Sequence, residues 1–251
     1  EIGVRLVGSE MCIRDSSSTE QPNQLFDRSQ VLDQLRPPAH APEFSRMFAA
    51  RTCTMAGVGL TGVFLWYLVR FWVYGKAVVL TSAPLTIPAG FLIASMAVAT
   101  LIGAALASWA AGPISERIEE KNIPVARVVA GACLLYAIGL GLAWGLGVWS
   151  TGTARENGML LFALISGFAF GIYDSLGLEL VMDSLPDPRR AGHDLGIYAL
   201  ANSAGLALAA IIGALLVNAF EHSFGYYLLF PSAIVMVLLA GIVTLTTKSA
   251  E

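Results

Sequence analysis

The chain has 251 residues, 56% of them hydrophobic and 13% charged, with a mean hydropathy of +0.68. Soluble domains carry about 25% charged and roughly 45–50% apolar residues, so this composition argues against an ordinary soluble globule. The formal net charge of −3 is too small to point to a nucleic-acid partner.

Residues 1–16, EIGVRLVGSEMCIRDS, resemble a translated sequencing adapter and are expected to be non-native. They lack the apolar core of a signal peptide. Residues 17–47 are rich in Ser, Gln and Asp and contain a Pro-Pro pair, which predicts a polar linker on the cytoplasmic side. A six-helix transmembrane domain is expected over residues 48–248. Its first uncharged run is Thr52–Val69, bounded by Arg51 and Arg70. The second helix is expected from about Pro88 to Ala111, and the third run is Val128–Ala154, its helix ending near Trp149. A fourth helix begins at Asn157 and continues through Asp174 and Glu179 to Asp183. Leu195–Phe220 and Ser223–Thr247 complete the set. A bilayer crossing needs about 20 residues, so each run supplies one span. Period-two alternation is absent, which argues against barrel strands.

With six spans, both ends face the same side. That side would hold 12 basic residues: Arg5, Arg14, Arg28, Arg36, Arg46, Arg51, Arg117, Lys121, Arg127, Arg189, Arg190 and Lys248. The other would hold 3: Arg70, Lys76 and Arg155. Setting aside Arg5 and Arg14 leaves 10 against 3, which predicts cytoplasmic termini in a plasma or inner membrane. Small residues recur every four positions at Ala201, Gly205, Ala209 and Gly213, at Gly139, Ala143 and Gly147, and at Gly141 and Gly145. Such stripes allow close helix packing, either for simple compaction or as a sliding surface.

Ionisable groups inside a span cost at least about 2.5–3.5 kcal/mol to insert, so they need a cavity or a partner. Asp174 is the deepest acid. Buried without a partner, it would be suited to loading and releasing a proton; the plainer alternative is a static hydrogen bond. Glu179 lies about 140° around the helix from Asp174 and is either a second candidate or a wet, cytoplasmic-end acid. Asn202 makes an interhelical bond or touches the solute. Tyr173, Tyr198, Trp66 and Trp144 could stack on a ligand, while Trp66, Trp72 and Trp149 sit near run ends, where interfacial anchoring is expected. Cys12, Cys53 and Cys133 have no CxxC spacing, and His193 and His222 have no second ligand near them in sequence, so no metal or cofactor is expected. HExxH, GxSxG, GxGD, Walker A and Asn-Pro-Ala motifs are all absent, which argues against an enzyme, an ATPase and a water channel.

Two segments carry a family resemblance. AGPISERIEEKN, residues 111–122, resembles the short cytoplasmic signature of the major facilitator superfamily, with Gly112, Glu116, Arg117 and Lys121 matching and Glu119 standing where Gly is favoured. MDSLPDPRRAGHDLGIYALAN, residues 182–202, resembles the loop between the tenth and eleventh helices of the glycoside–cation symporter and sucrose-transporter group. Asp183, Leu185, Pro186, Asp187, Gly192, Asp194, Leu195, Gly196, Ala201 and Asn202 match.

The resemblance implies an all-α, polytopic membrane protein, six transmembrane helices forming the C-terminal half of a facilitator fold. It implies secondary transport of a small solute, plausibly a sugar or glycoside, coupled to a proton or other cation. The first segment would then act as a conformational-latch loop and the second as a cytoplasmic loop motif. The partners implied are the bilayer, the solute, the coupling cation and an N-terminal six-helix half. The rivals are a complete six-helix homodimeric channel or carrier, a non-transporting membrane scaffold and an intramembrane enzyme.

Overall fold

The computed structural model describes residues 42–74, 86–185, 191–220 and 222–247, and every regular element among them is a helix. Five helices are long and apolar enough to cross a bilayer: α2 (Thr86–Lys121), α3 (Val125–Trp149), α4 (Thr153–Asp183), α5 (Ala191–Ala219) and α6 (His222–Leu245). A bent pair, α1a (Pro42–Gly62) and α1b (Leu65–Val73), which meet at 40°, makes a sixth crossing if the two count as one span. Most of α1b, Leu68–Val73, is a π-helix. The outward faces carry large apolar side chains, including Phe91, Leu101, Trp109 and Leu215, as hydrocarbon solvent requires.

Two boundaries and one side chain differ from the sequence expectation. Residues 1–41 lie outside the described residues, but the expected linker overlaps the first helix, which starts at Pro42 rather than near residue 48. Proline suits a first helical position, where its missing N–H is no loss, and Glu43 suits the positive end of the helix dipole. Phe44 and Met47 are fully buried, in a cluster with Leu180, Val181, Ile197 and Tyr198. Arg51 therefore lies inside the helix and does not flank it.

The second departure is at the end of α2, which continues ten residues beyond Ala111 through the segment expected to be a loop. SERIEEK is made largely of strong helix formers, with Glu119 where a glycine would weaken the helix. At 36 residues, α2 is roughly 54 Å long. That exceeds the ~30 Å hydrocarbon layer, so its charged end reaches water. The helix stops at Asn122, in the left-handed region with φ 49°. The Ile123 N–H donates to the Ile118 carbonyl and that of Asn122 to Glu119, the paired bonds of a Schellman cap, and Pro124 prevents continuation.

The third departure is Trp72, expected at the interface. It is buried edge-on to Tyr227 at 4.0 Å and also packs on Gly147. Trp149 and Trp66 remain exposed. Close to Trp72, Arg155 donates to the Trp72 carbonyl at 2.9 Å and the Ser150 carbonyl at 2.7 Å. Tyr74, just past the end of α1b, donates to the Pro88 carbonyl at 3.4 Å and lies near the Glu156 carboxylate. Burial, then that carboxylate, push its phenol up to about 12.

The helix packing has an internal symmetry. The most extensive interfaces are α2 with α4, α3 with α4, α1 with α5, α1 with α6, and α3 with α6. Exchanging α1-α2-α3 with α4-α5-α6 maps this set onto itself. If each helix crosses once, an odd number per triple inverts the second triple relative to the first. The interfaces paired by the exchange also use the same device. A Cβ on Gly103 of α2 would strike the Leu164 carbonyl, and one on Gly167 of α4 would strike the Thr100 carbonyl. In the corresponding pair, a Cβ on Gly59 of α1 would lie 2.7 Å from Ala209, and one on Gly205 of α5 would lie 2.6 Å from the Thr52 carbonyl. Of the two overlapping stripes on α3, Gly139, Ala143 and Gly147 face neighbouring side chains or the core, whereas Gly141 meets nothing and Gly145 only its own helix's Trp149.

Gly103→Ala and Gly167→Ala should each destabilise the bundle by about 1–3 kcal/mol, because backbone atoms must move apart. Gly131→Ala and Gly141→Ala, where open space surrounds the new methyl, should be neutral or stabilising. Reversible unfolding in mixed micelles measures the difference; equal effects at all four positions would refute the close-crossing account.

Candidate functional site

Arg51 lies nine residues into α1a, on the face that also carries Phe44 and Met47. Its Nη1 is 2.8 Å from Asp174 Oδ1 on α4, and its Nε donates to Asn202 Oδ1 on α5 at 2.7 Å. The guanidinium also lies over three rings: Tyr173 at 5.6 Å, Phe170 at 5.8 Å and Tyr198 at 5.9 Å. Cations at such distances are held by the ring quadrupole, more strongly when water is excluded. Thus Tyr173, Asp174, Tyr198 and Asn202, four of the five substrate or coupling candidates, converge on one cation.

The two charges are differently placed. The Arg51 side chain is 11% exposed and the Asp174 side chain 56%. Arg51 is enclosed by its rings, its amide and its carboxylate. Asp174 is not a partnerless acid, and it borders open space. That space is a cavity of about 360 Å³ between α2, α3, α4 and α1, reaching from Ser166 to Asp174 and Ser175 along α4 and from Thr100 to Ser108 along α2. Gly167 and Ala104, near the middle of their helices, lie on its wall, with Val58, Tyr136 and Phe170. α1 and α4 are not among the closely packed pairs, so their polar side chains meet across a gap.

The remaining candidates lie elsewhere. Glu179 is exposed on α4, away from Arg51. Gly112, Glu116, Arg117 and Lys121 are exposed on the protruding end of α2, and no ion pair joins them among the described residues. Asp183 ends α4, and Pro186 and Asp187 lie outside the described residues. Asp194 is buried in the first turn of α5 and contacts His193 Nδ1 at 3.3 Å; Gly196 is exposed beyond it. No group of three or more potential metal ligands occurs among the described residues.

Arg51 and the hydroxyl-bearing wall were not singled out from sequence. The spacing Phe44, Met47, Arg51 was the available signal, since it continues an apolar helical face into a cation. Compared with protein-family models, curated proteins and solved structures, the chain matches none.

A double-mutant cycle on Arg51→Met and Asp174→Leu should return a coupling of about 0.5–3 kcal/mol. Unfolding in mixed micelles reads it. Strict additivity would mean that the pair contributes nothing to holding α1 against α4.

Proposed function

We propose that this bundle is one half of a secondary transporter that moves a small solute coupled to a proton or another cation. The observation that carries the proposal is the Arg51–Asp174 pair, set within membrane-length helices at the edge of a cavity that four hydroxyls, a phenol and that carboxylate line among apolar residues. Ionisable groups persist at such depth mainly where they line a pathway or hold a partner. An ion pair with one enclosed and one open member can exchange its outer partner without leaving the inner charge bare. The packing symmetry supports the same reading, because inverted triples of helices recur within each half of facilitator-type carriers. In that architecture a second six-helix half completes the path. The sugar or glycoside suggested by the loop resemblance is the starting expectation for the solute.

Asp174 is the proposed coupling residue and Arg51 its switchable partner. In proteoliposomes containing the complete carrier, Asp174→Asn should abolish uphill accumulation while sparing exchange at saturating solute concentration. Undiminished accumulation with unchanged pH dependence would remove Asp174 from the coupling step.

The positive-inside bias supports a cytoplasmic location for both ends. Thr151→Cys, in the exposed turn between α3 and α4, should then react with an impermeant maleimide added outside cells. Labelling only from the cytoplasmic side would reverse the orientation. Thr151 is preferable to Arg155, whose guanidinium ties that turn to α1b.

A further inference from the structure

The cavity wall has one-sided hydrogen-bonding chemistry. Thr100 donates its hydroxyl proton to the Met96 carbonyl at 2.9 Å and Ser108 to Ala104 at 3.1 Å. Ser166 donates to Ala163 at 3.0 Å and Ser175 to Gly171 at 2.8 Å. Each hydroxyl has one proton, and here it is committed to its own helix, leaving oxygen lone pairs as what these groups offer a ligand. Tyr136 is the exception on this wall, a phenol that can donate as well as accept; its neighbour Thr61 donates to the Val58 carbonyl. Asp174 adds a carboxylate that has only one oxygen on Arg51, and an ionised carboxylate accepts about four hydrogen bonds. The one strong donor nearby, Arg51, is already taken up by Asp174, Asn202 and three rings.

From these lone pairs and the carboxylate we propose that the cavity binds a small protonated primary amine, its ammonium on Asp174 with the Ser108 and Ser175 oxygens at the same end of the cavity, its alkyl part against Val58 and Phe170. This names a substrate class for the transporter reading above and rests on that reading for the transport step. An ammonium has three donors and no acceptor, which suits a carboxylate flanked by hydroxyl lone pairs. An anion would meet lone pairs throughout. A sugar hydroxyl brings an acceptor for every donor, and its acceptors would go unanswered on this wall. A bare alkali ion needs several oxygens within about 2.6 Å, whereas Ser166 and Asp174 stand eight residues apart along α4, roughly 12 Å at 1.5 Å per residue. Arg51 does not have to leave when the amine arrives, because Asn202 and the rings still hold it.

The test uses the full chain in lipid nanodiscs, titrated calorimetrically at neutral pH with n-butylamine, n-butanol, glucose and sodium chloride. Saturable binding of n-butylamine alone is expected. Asp174→Asn should weaken it by about tenfold or more, the loss of one charge-assisted hydrogen bond. Should Asp174→Asn fail to fold, Ser108→Ala with Ser175→Ala replaces two hydroxyls at the Asp174 end of the cavity, each bonded only within its own helix. That pair should weaken the amine by about threefold or more while leaving unfolding unchanged. Saturable glucose or sodium binding without amine binding overturns the proposal, as does unchanged amine affinity in both variants. The two readings fail separately. An amine that binds but is not moved by the complete carrier sinks the transport reading and keeps the site. A sugar that accumulates while no amine binds does the reverse.

Discussion

Helices in a bilayer have no hydrophobic reason to associate, because lipid tails are as apolar as leucine. What joins them is close contact, and here glycines let neighbouring helices approach with a backbone or a small side chain against them. Gly103 and Gly167 lock α2 on α4; Gly59 and Gly205 do the same for α1 on α5. These crossings fix two pairs tightly and leave α1 and α4, the first helix of each triple, facing one another across a gap. The cavity is that gap's consequence, and the polar side chains that fill its edge are placed by crossings several residues away.

Arg51 shows how such a frame accommodates a charge. An arginine inside a span is costly unless its charge is answered. Here a carboxylate, an amide oxygen and three aromatic faces come from α4 and α5. No one helix could supply them. The pair is consequently both a tie between α1 and α4 and the most polar point of the cavity, so any movement that separates the two helices must find Asp174 another partner. A solute cation or a proton meets that requirement, which connects the packing to the transport reading.

The same arrangement constrains the solute. Hydroxyls inside transmembrane helices donate back to their own turn because no water competes for the proton. A wall built from them accepts and hardly donates. The facilitator resemblance alone suggests a sugar, while the wall chemistry favours a ligand rich in N–H. These lines come from different sources, the first from two short segments of sequence and the second from bond directions at the site.

Composition and run length by themselves determined the all-helical, membrane-length character of the chain, because apolar runs of that length are stable chiefly in lipid. Four residues of the site, Tyr173, Asp174, Tyr198 and Asn202, were also legible, since polar or aromatic groups stand out inside apolar runs. Arg51 was not: a cation next to an apolar run looks like a flank until its counter-charge is known, and that charge lies 123 positions further along the chain. The start of α1 was obscured for the same reason, its first two turns being too polar for an uncharged window. Of the overlapping stripes on α3, only packing could say that Gly139 and Gly147 meet neighbours and Gly141 does not. The end of α2 was misjudged because charge marked it as loop, although its residues favour helix and its length carries it past the hydrocarbon. Periodicity and polarity are local properties, written along one helix. Which cation meets which carboxylate, and where a gap is left, depends on how backbones from distant parts of the chain cross, and only the tertiary structure decided that.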